Sequence, residues 1–187
     1  MRVITGKARG VQLKTPEGMQ TRPTTDRVKE ALFSIIQFEV PGTKVLDLFG
    51  GTGQLGIEAL SRGAKKAVFV DAREDACKLI RENLKRTDFA DCAQVVRADY
   101  LEYLKHCREK FDIILLDPPY AEVFLENALK FITEIDILQS GGIIILERPV
   151  GKELPWEFYG YSRSKDYKYG STLLTLYRKC QAEQDSL

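Results

Sequence analysis

The run Asp47-Leu48-Phe49-Gly50-Gly51-Thr52-Gly53-Gln54-Leu55-Gly56 leaves an apolar stretch and opens a helical period. Glycines at such a point permit positive φ and let a ligand approach the backbone, while the helix start offers free N–H donors. Gly51-x-Gly53-x-x-Gly56 has the spacing of a dinucleotide fingerprint, and Asp71 stands 20 residues after Gly51, at the end of the next apolar run. An acid there accepts hydrogen bonds from ribose hydroxyls. Asp47, just ahead of the loop, would repel a pyrophosphate seated at the helix N-terminus. A zwitterionic sulfonium ligand has no pyrophosphate, and its ammonium can engage a carboxylate. S-adenosylmethionine (SAM) therefore fits better than a nicotinamide cofactor. A further acid, Asp99, follows the third apolar run. It can receive an adenine amino group or cap the next helix, and both roles can hold together.

The second constellation is Asp117-Pro118-Pro119-Tyr120. Two prolines fix φ and remove two N–H donors, so the carbonyls point outward without strand partners. A carboxylate and free carbonyls at the carboxyl end of a strand form a rigid acceptor cluster, where open α/β sheets bind ligands. The neighbouring tyrosine ring can stack on a planar heterocycle. Methylation of an exocyclic base nitrogen calls for this set. That lone pair is delocalised into the ring, and acceptors gripping the N–H bonds localise it for attack on a methyl sulfonium. A rigid strand exit alone accounts for the prolines but not for the acid and the ring together.

Both constellations need strands to carry them. Lys44–Leu48, Ala67–Asp71, Ala93–Ala98, Phe111–Asp117 and Gly142–Glu147 read as strands, several as continuous apolar runs buried on both faces. Helical segments lie between them at 54–62, 74–86, 100–108 and 121–133. Leu125, Ala128, Leu129 and Ile132 draw one apolar stripe, and Val28, Ala31, Leu32, Ile35 and Ile36 draw another before Pro41-Gly42. This alternation predicts an α/β fold with a doubly wound, mostly parallel, seven-stranded Rossmann-like sheet. A hairpin is expected over residues 1–15. An antiparallel pair, 158–165 and 171–178 around Tyr169-Gly170, is expected to close the sheet. We read one domain over residues 1–187, with a basic hairpin and helix at 1–40 and the catalytic core at 41–180.

Composition agrees with that class. The chain of 187 residues is 44% hydrophobic and 29% charged, ordinary for a globular domain and unlike disordered or fibrous sequences. No apolar run approaches the roughly 18 residues of a membrane span, and the first residues do not form a signal peptide, so a cytoplasmic protein is expected. The net charge of +1 hides an asymmetry: residues 1–29 carry seven basic groups against two acids. Arg2, Lys7, Arg9, Lys14, Arg22 and Arg27 thus suggest a polyanionic partner, the alternative being a solvated face. Cys77, Cys92, Cys107, Cys180 and the single His106 match no metal-ligand spacing, so no metal is expected.

Taken together, Asp47–Gly53, Asp71, Asp99 and Asp117–Tyr120 resemble the class I SAM-dependent methyltransferases that modify base amino groups. Arg22-Pro-Thr-Thr-Asp-Arg-Val-Lys-Glu-Ala-Leu-Phe, Leu55-Gly-Ile-Glu-Ala-Leu-Ser-Arg-Gly-Ala and Tyr169-Gly-Ser-Thr-Leu narrow the resemblance to the RsmD family of bacterial 16S rRNA guanine-N2 methyltransferases. The resemblance runs from Arg2 to Arg178. It implies that Asp47, Gly51 and Gly53 hold the methionine end of SAM, Asp71 the ribose and Asp99 the adenine amino group. It implies that Asp117 and the Pro118 carbonyl accept the guanine N2 hydrogens, with Pro119 keeping the corner rigid and Tyr120 against the base. The target would be guanosine 966 of 16S rRNA, presented in a small-subunit particle or assembly intermediate. Gly50 stands where the family often has alanine. Two other classes stay open on the residues alone: an adenine-N6 methyltransferase, whose target offers the same amino group, and a nicotinamide enzyme or non-catalytic Rossmann module.

Overall fold

A computed structural model of the chain describes residues 1–16, 23–118, 122–151, 153–158 and 160–180. The parallel strands are β1 (Lys44–Asp47), β2 (Lys66–Asp71), β3 (Ala93–Arg97), β4 (Phe111–Leu116) and β5 (Leu138–Pro149). The helices are α1 (Pro23–Ile35), α2 (Gln54–Ser61), α3 (Glu74–Arg86), α4 (Tyr100–His106) and α5 (Glu122–Ile135). Three further strands, β6 (Glu157–Phe158), β7 (Tyr161–Tyr169) and β8 (Thr172–Lys179), complete one sheet of order β3-β2-β1-β4-β5-β8-β7-β6. The chain moves outward from β1 to β3, then returns to place β4 on the other side of β1. That reversal opens a crevice above the carboxyl ends of β1 and β4, where open α/β sheets take their ligands.

Side-chain alternation decides what faces that crevice. Val45, Phe69, Ile113, Leu115, Ile143 and Ile145 pack in one apolar cluster with Leu32 and Phe33 of α1, Ile57 of α2 and Ile80 of α3. Leu46, Val68, Ile114 and Ile144 pack on the other face with Leu104 of α4 and Leu129 of α5. Strand side chains repeat every two residues. Period two therefore carries Asp47, Asp71, Asp117 and Glu147 onto the α1–α3 face. Register aligns them, since Asp47 pairs with Leu115 and Leu116 with Leu146, one residue short of Asp117 and Glu147.

The predicted strand 158–165 is divided: Gly160, with φ 79°, separates the two-residue edge strand β6 from β7. The sheet thus gains a short eighth strand. The C-terminal pair is antiparallel as expected, with Glu147 opposite Leu174 and Leu174 opposite Tyr167.

The N-terminal hairpin is reduced to one antiparallel bridge, Arg2 with Gln12, supported by Val3 N–H to Val11 C=O (3.0 Å) and Gly10 N–H to Val3 C=O (2.9 Å). It is no loose arm. Val3, Ala8 and Leu13 are buried in the α1–α3 cluster. The fully buried Glu58 of α2 accepts from Ile4 N–H (2.7 Å), Thr5 N–H (3.0 Å) and Arg62 Nε (2.8 Å), with Lys29 Nζ 3.9 Å away. Ser61 Oγ accepts from Ala8 N–H (3.0 Å) and donates to Thr5 C=O (2.6 Å).

Candidate functional site: a glycine cradle beside an open carboxyl pair

The loop between β1 and α2 turns on Gly51 (φ 55°) and Gly53 (φ 79°), conformations L side chains rarely adopt. Gly56 serves close packing instead. A Cβ there would lie 2.2 Å from Phe69 Cε1, so only glycine lets α2 rest this close to β2. At Gly50 a Cβ would meet Ile80 Cδ1 at 2.8 Å. That is the tip of a flexible side chain, so alanine there requires only a small shift.

Two of the predicted cofactor acids hold this loop. Asp47 Oδ2 accepts from Gly56 N–H (3.0 Å), and Asp71 accepts from Gly51 N–H through Oδ2 (2.9 Å) and Arg73 N–H through Oδ1 (2.9 Å). Burial pushes the Asp47 carboxyl up to about 8, opposed by the Gly56 N–H and assisted by the charges of Asp117 and Asp71. A carboxylate offers about four acceptor positions, so these bonds leave capacity for a ligand.

The cradle fits SAM. On the side a Gly51 Cβ would occupy, nothing lies nearer than Phe49 C=O at 3.8 Å, leaving the backbone open to close approach. At the first residue of α2, Gln54 Oε1 is buried without a hydrogen-bond partner among the described residues, an acceptor open to a donor such as an ammonium. Asp99 caps α4, Oδ1 accepting from Leu101 N–H (2.9 Å) and Glu102 N–H (3.4 Å). The capping role read from the sequence is therefore present. Phe49, Tyr100 and Phe124 bring three rings together beside these loops, with centroids 5.2–6.4 Å apart.

Across the crevice, Asp117 and Glu147 are both half-buried. No hydrogen bond or ion pair engages either carboxyl among the described residues. Burial raises Asp117 to about 6. Burial first, and then the Asp117 charge, raises Glu147 to about 8. Pro118 follows at the site, whereas Pro119 and Tyr120 lie outside the described residues. Glu147 and Gln54 were not picked out from the sequence as site residues. Glu147 ends a predicted strand as Asp71 does, and that was the one available signal.

Of the predicted RNA contacts, Arg2, Lys7, Arg9, Lys14 and Arg27 are exposed, and Arg22 lies outside the described residues. Lys14 pairs with Glu82 at 2.6 Å. Lys29, one of the seven basic groups counted near the N-terminus, is instead buried and donates to Arg2 C=O (2.6 Å), so it adds nothing to a basic surface. The segment is tied to the cradle: Asn83 of α3 accepts from Lys14 N–H (2.7 Å) and donates to Lys14 C=O (3.0 Å) and Thr52 C=O (2.9 Å).

Residues 1–178 match the family described as Conserved hypothetical protein 95. A Bacillus subtilis protein described provisionally as the rRNA methyltransferase YlbH is 41% identical over 96% of this chain and 99% of its own length. Ribosomal RNA small subunit methyltransferase D of Escherichia coli K12 is 32% identical, over 100% of this chain and 94% of that protein. A solved E. coli structure, described provisionally as a methyltransferase, is 31% identical and superposes with a TM-score of 0.87 over 97% of this chain and 99% of its own. The chain belongs to the RsmD family of SAM-dependent rRNA methyltransferases.

Proposed function

We propose that this protein methylates the exocyclic N2 of a guanine in small-subunit rRNA, guanosine 966, in the cytoplasm and on a small-subunit particle or assembly intermediate. The observation that carries the reading is the carboxyl of Asp117 just past the end of β4, without a partner among the described residues and across the switch point from the glycine cradle. When bound, SAM supplies an electrophilic methyl group on its sulfonium. Asp47, Gly51 and Gly53 hold its methionine end, Asp71 the ribose and Asp99, through the oxygen not used in capping, the adenine amino group. Asp117 and the Pro118 carbonyl accept the two N2 hydrogens, with Pro119 and Tyr120 completing the corner.

Gripping both hydrogens turns the nitrogen lone pair out of conjugation and toward the methyl carbon. That orientation would present the lone pair to the sulfonium methyl group, whose transfer to N2 would release S-adenosylhomocysteine. The alkylated nitrogen is then strongly acidic, and its extra proton leaves to water. Asp117 therefore acts chiefly as an acceptor rather than a base. Exposed Arg2, Lys7, Arg9, Lys14 and Arg27, with Arg22, lie along phosphates, and the target base leaves its stack to reach the crevice. The test is to incubate the purified protein with labelled SAM and small-subunit particles lacking the modification, digest the RNA and identify the nucleoside. N2-methylguanosine at one site is expected. N6-methyladenosine would replace this reading with the adenine one.

A further inference from the structure

We propose that Glu147 is a specificity-determining residue that reads the N1–H and O6 edge of the target guanine beside the N2 group held by Asp117. This deepens the guanine-N2 reading and rests on it. The placement comes from the sheet. β4 and β5 are parallel neighbours paired through Leu116 and Leu146, so Asp117 and Glu147 emerge side by side on the same face. Adjacent strands stand about 4.8 Å apart, which matches the separation of N2 and O6 at the two ends of the guanine edge, with N1 between them.

Both carboxyls are half-buried at the crevice and neither has a partner among the described residues, so their acceptor positions stand open to a ligand. A ligand presenting several polar groups in a row would satisfy them. Guanine does so, with N2–H, N1–H and O6 in sequence. A Glu147 carboxyl oxygen accepts from N1–H, and when the carboxyl carries its proton the O–H donates to O6. The raised affinity of Glu147 for a proton favours that second bond near neutral pH. Adenine presents an acceptor at N1 and no carbonyl, so it cannot form this pair. The amino grip alone does not distinguish the two bases. Glu147 does.

The experiment compares single-turnover methyl transfer to an rRNA fragment or particle carrying guanine at the target and to one carrying 2-aminopurine. That analogue keeps the 2-amino group but lacks N1–H and O6. Wild type should prefer guanine, and Glu147→Ala should reduce its guanine rate about 10- to 100-fold while changing the 2-aminopurine rate little. Glu147→Gln retains an acceptor for N1–H and a donor for O6, and should restore most of the guanine preference. SAM affinity should be the same in all three proteins. A guanine to 2-aminopurine ratio unaltered by Glu147→Ala overturns the inference. If wild type instead leaves N2 of guanine unmodified, the guanine-N2 reading itself fails, and the two results cannot be confused.

Discussion

Glu58 and the Asp117–Glu147 pair are acids withdrawn from water on the same face of the sheet, yet their surroundings are opposite. Glu58 is saturated: two backbone amides, Arg62 and Lys29 surround it, and together they clamp the N-terminal segment onto α2. Asp117 and Glu147 hold no partner among the described residues; burial raises both toward protonation, and the Asp117 charge raises Glu147 further. A buried acid that serves the fold is supplied with donors by the fold. The half-buried Asp117 and Glu147 receive no donor from the described fold, which is what the proposed ligand role requires.

The largest effect that would break this contrast is at Glu58. Glu58→Ala leaves Arg62 and two amides without an acceptor, and leaves the buried Lys29, still bonded to Arg2 C=O, without its counter-charge. It should destabilise the protein by about 3–5 kcal/mol in urea unfolding, as breaking a buried ion pair does. A loss below about 1 kcal/mol would mean that the clamp is incidental.

Asp117→Ala should behave in reverse. It should cost about 1.5–3 kcal/mol of transition-state stabilisation, roughly 10- to 150-fold in single-turnover rate at saturating SAM and RNA. The melting temperature should hold or rise, because an unsatisfied charge has been removed. Asp117→Asn keeps a carbonyl acceptor and should lose distinctly less rate. Asparagine proving as inactive as alanine, with binding intact, would favour a general-base role.

Titration sharpens the same comparison. Asp117 and Glu147 bind their protons more tightly folded, near 6 and 8, than unfolded, near 4. The folded state therefore holds more protons across that window. Their contribution lowers stability as pH rises from about 4 to 6 for Asp117 and to about 8 for Glu147. Denaturation between pH 5 and 8 should show a shallower slope in Asp117→Asn and Glu147→Gln than in wild type. Identical slopes would indicate that the carboxyls are solvated.

The smallest effect is expected on the outer surface. Neutralising Arg2, Lys7, Arg9 and Lys14 should reduce the salt dependence of RNA binding by about 0.7–0.9 log–log units per lost phosphate contact, with SAM affinity unchanged. Lys14 already pairs with Glu82 and should contribute least. An undiminished slope in the quadruple variant would leave these residues as a solvated face.

The glycine loop and the placement of Asp71 and Asp117 at strand ends were legible in the sequence because local chemistry specifies them. Positive φ calls for glycine, proline dictates its own φ, and an acid that ends an apolar run is visible as one. Gly51, Gly53 and Gly56 each have the conformational or packing reason their spacing suggested. The five parallel strands were equally visible, since strands buried on both faces leave unbroken runs such as Gly142-Ile-Ile-Ile-Leu. What the sequence did not display was partnership between distant residues. Lys29 and Arg2 look alike in a charge count, but one is buried against Glu58 and the other is exposed, because the packing of α1 against α2 decides which basic side chain meets an acid. Glu147 became a neighbour of Asp117 only when β4 and β5 paired in register, 30 residues apart along the chain. Backbone conformation is fixed by neighbours in sequence, so the chain alone determined its turns, strands and cradle; register and packing are collective, so the tertiary structure alone decided which acids were satisfied and which were left open.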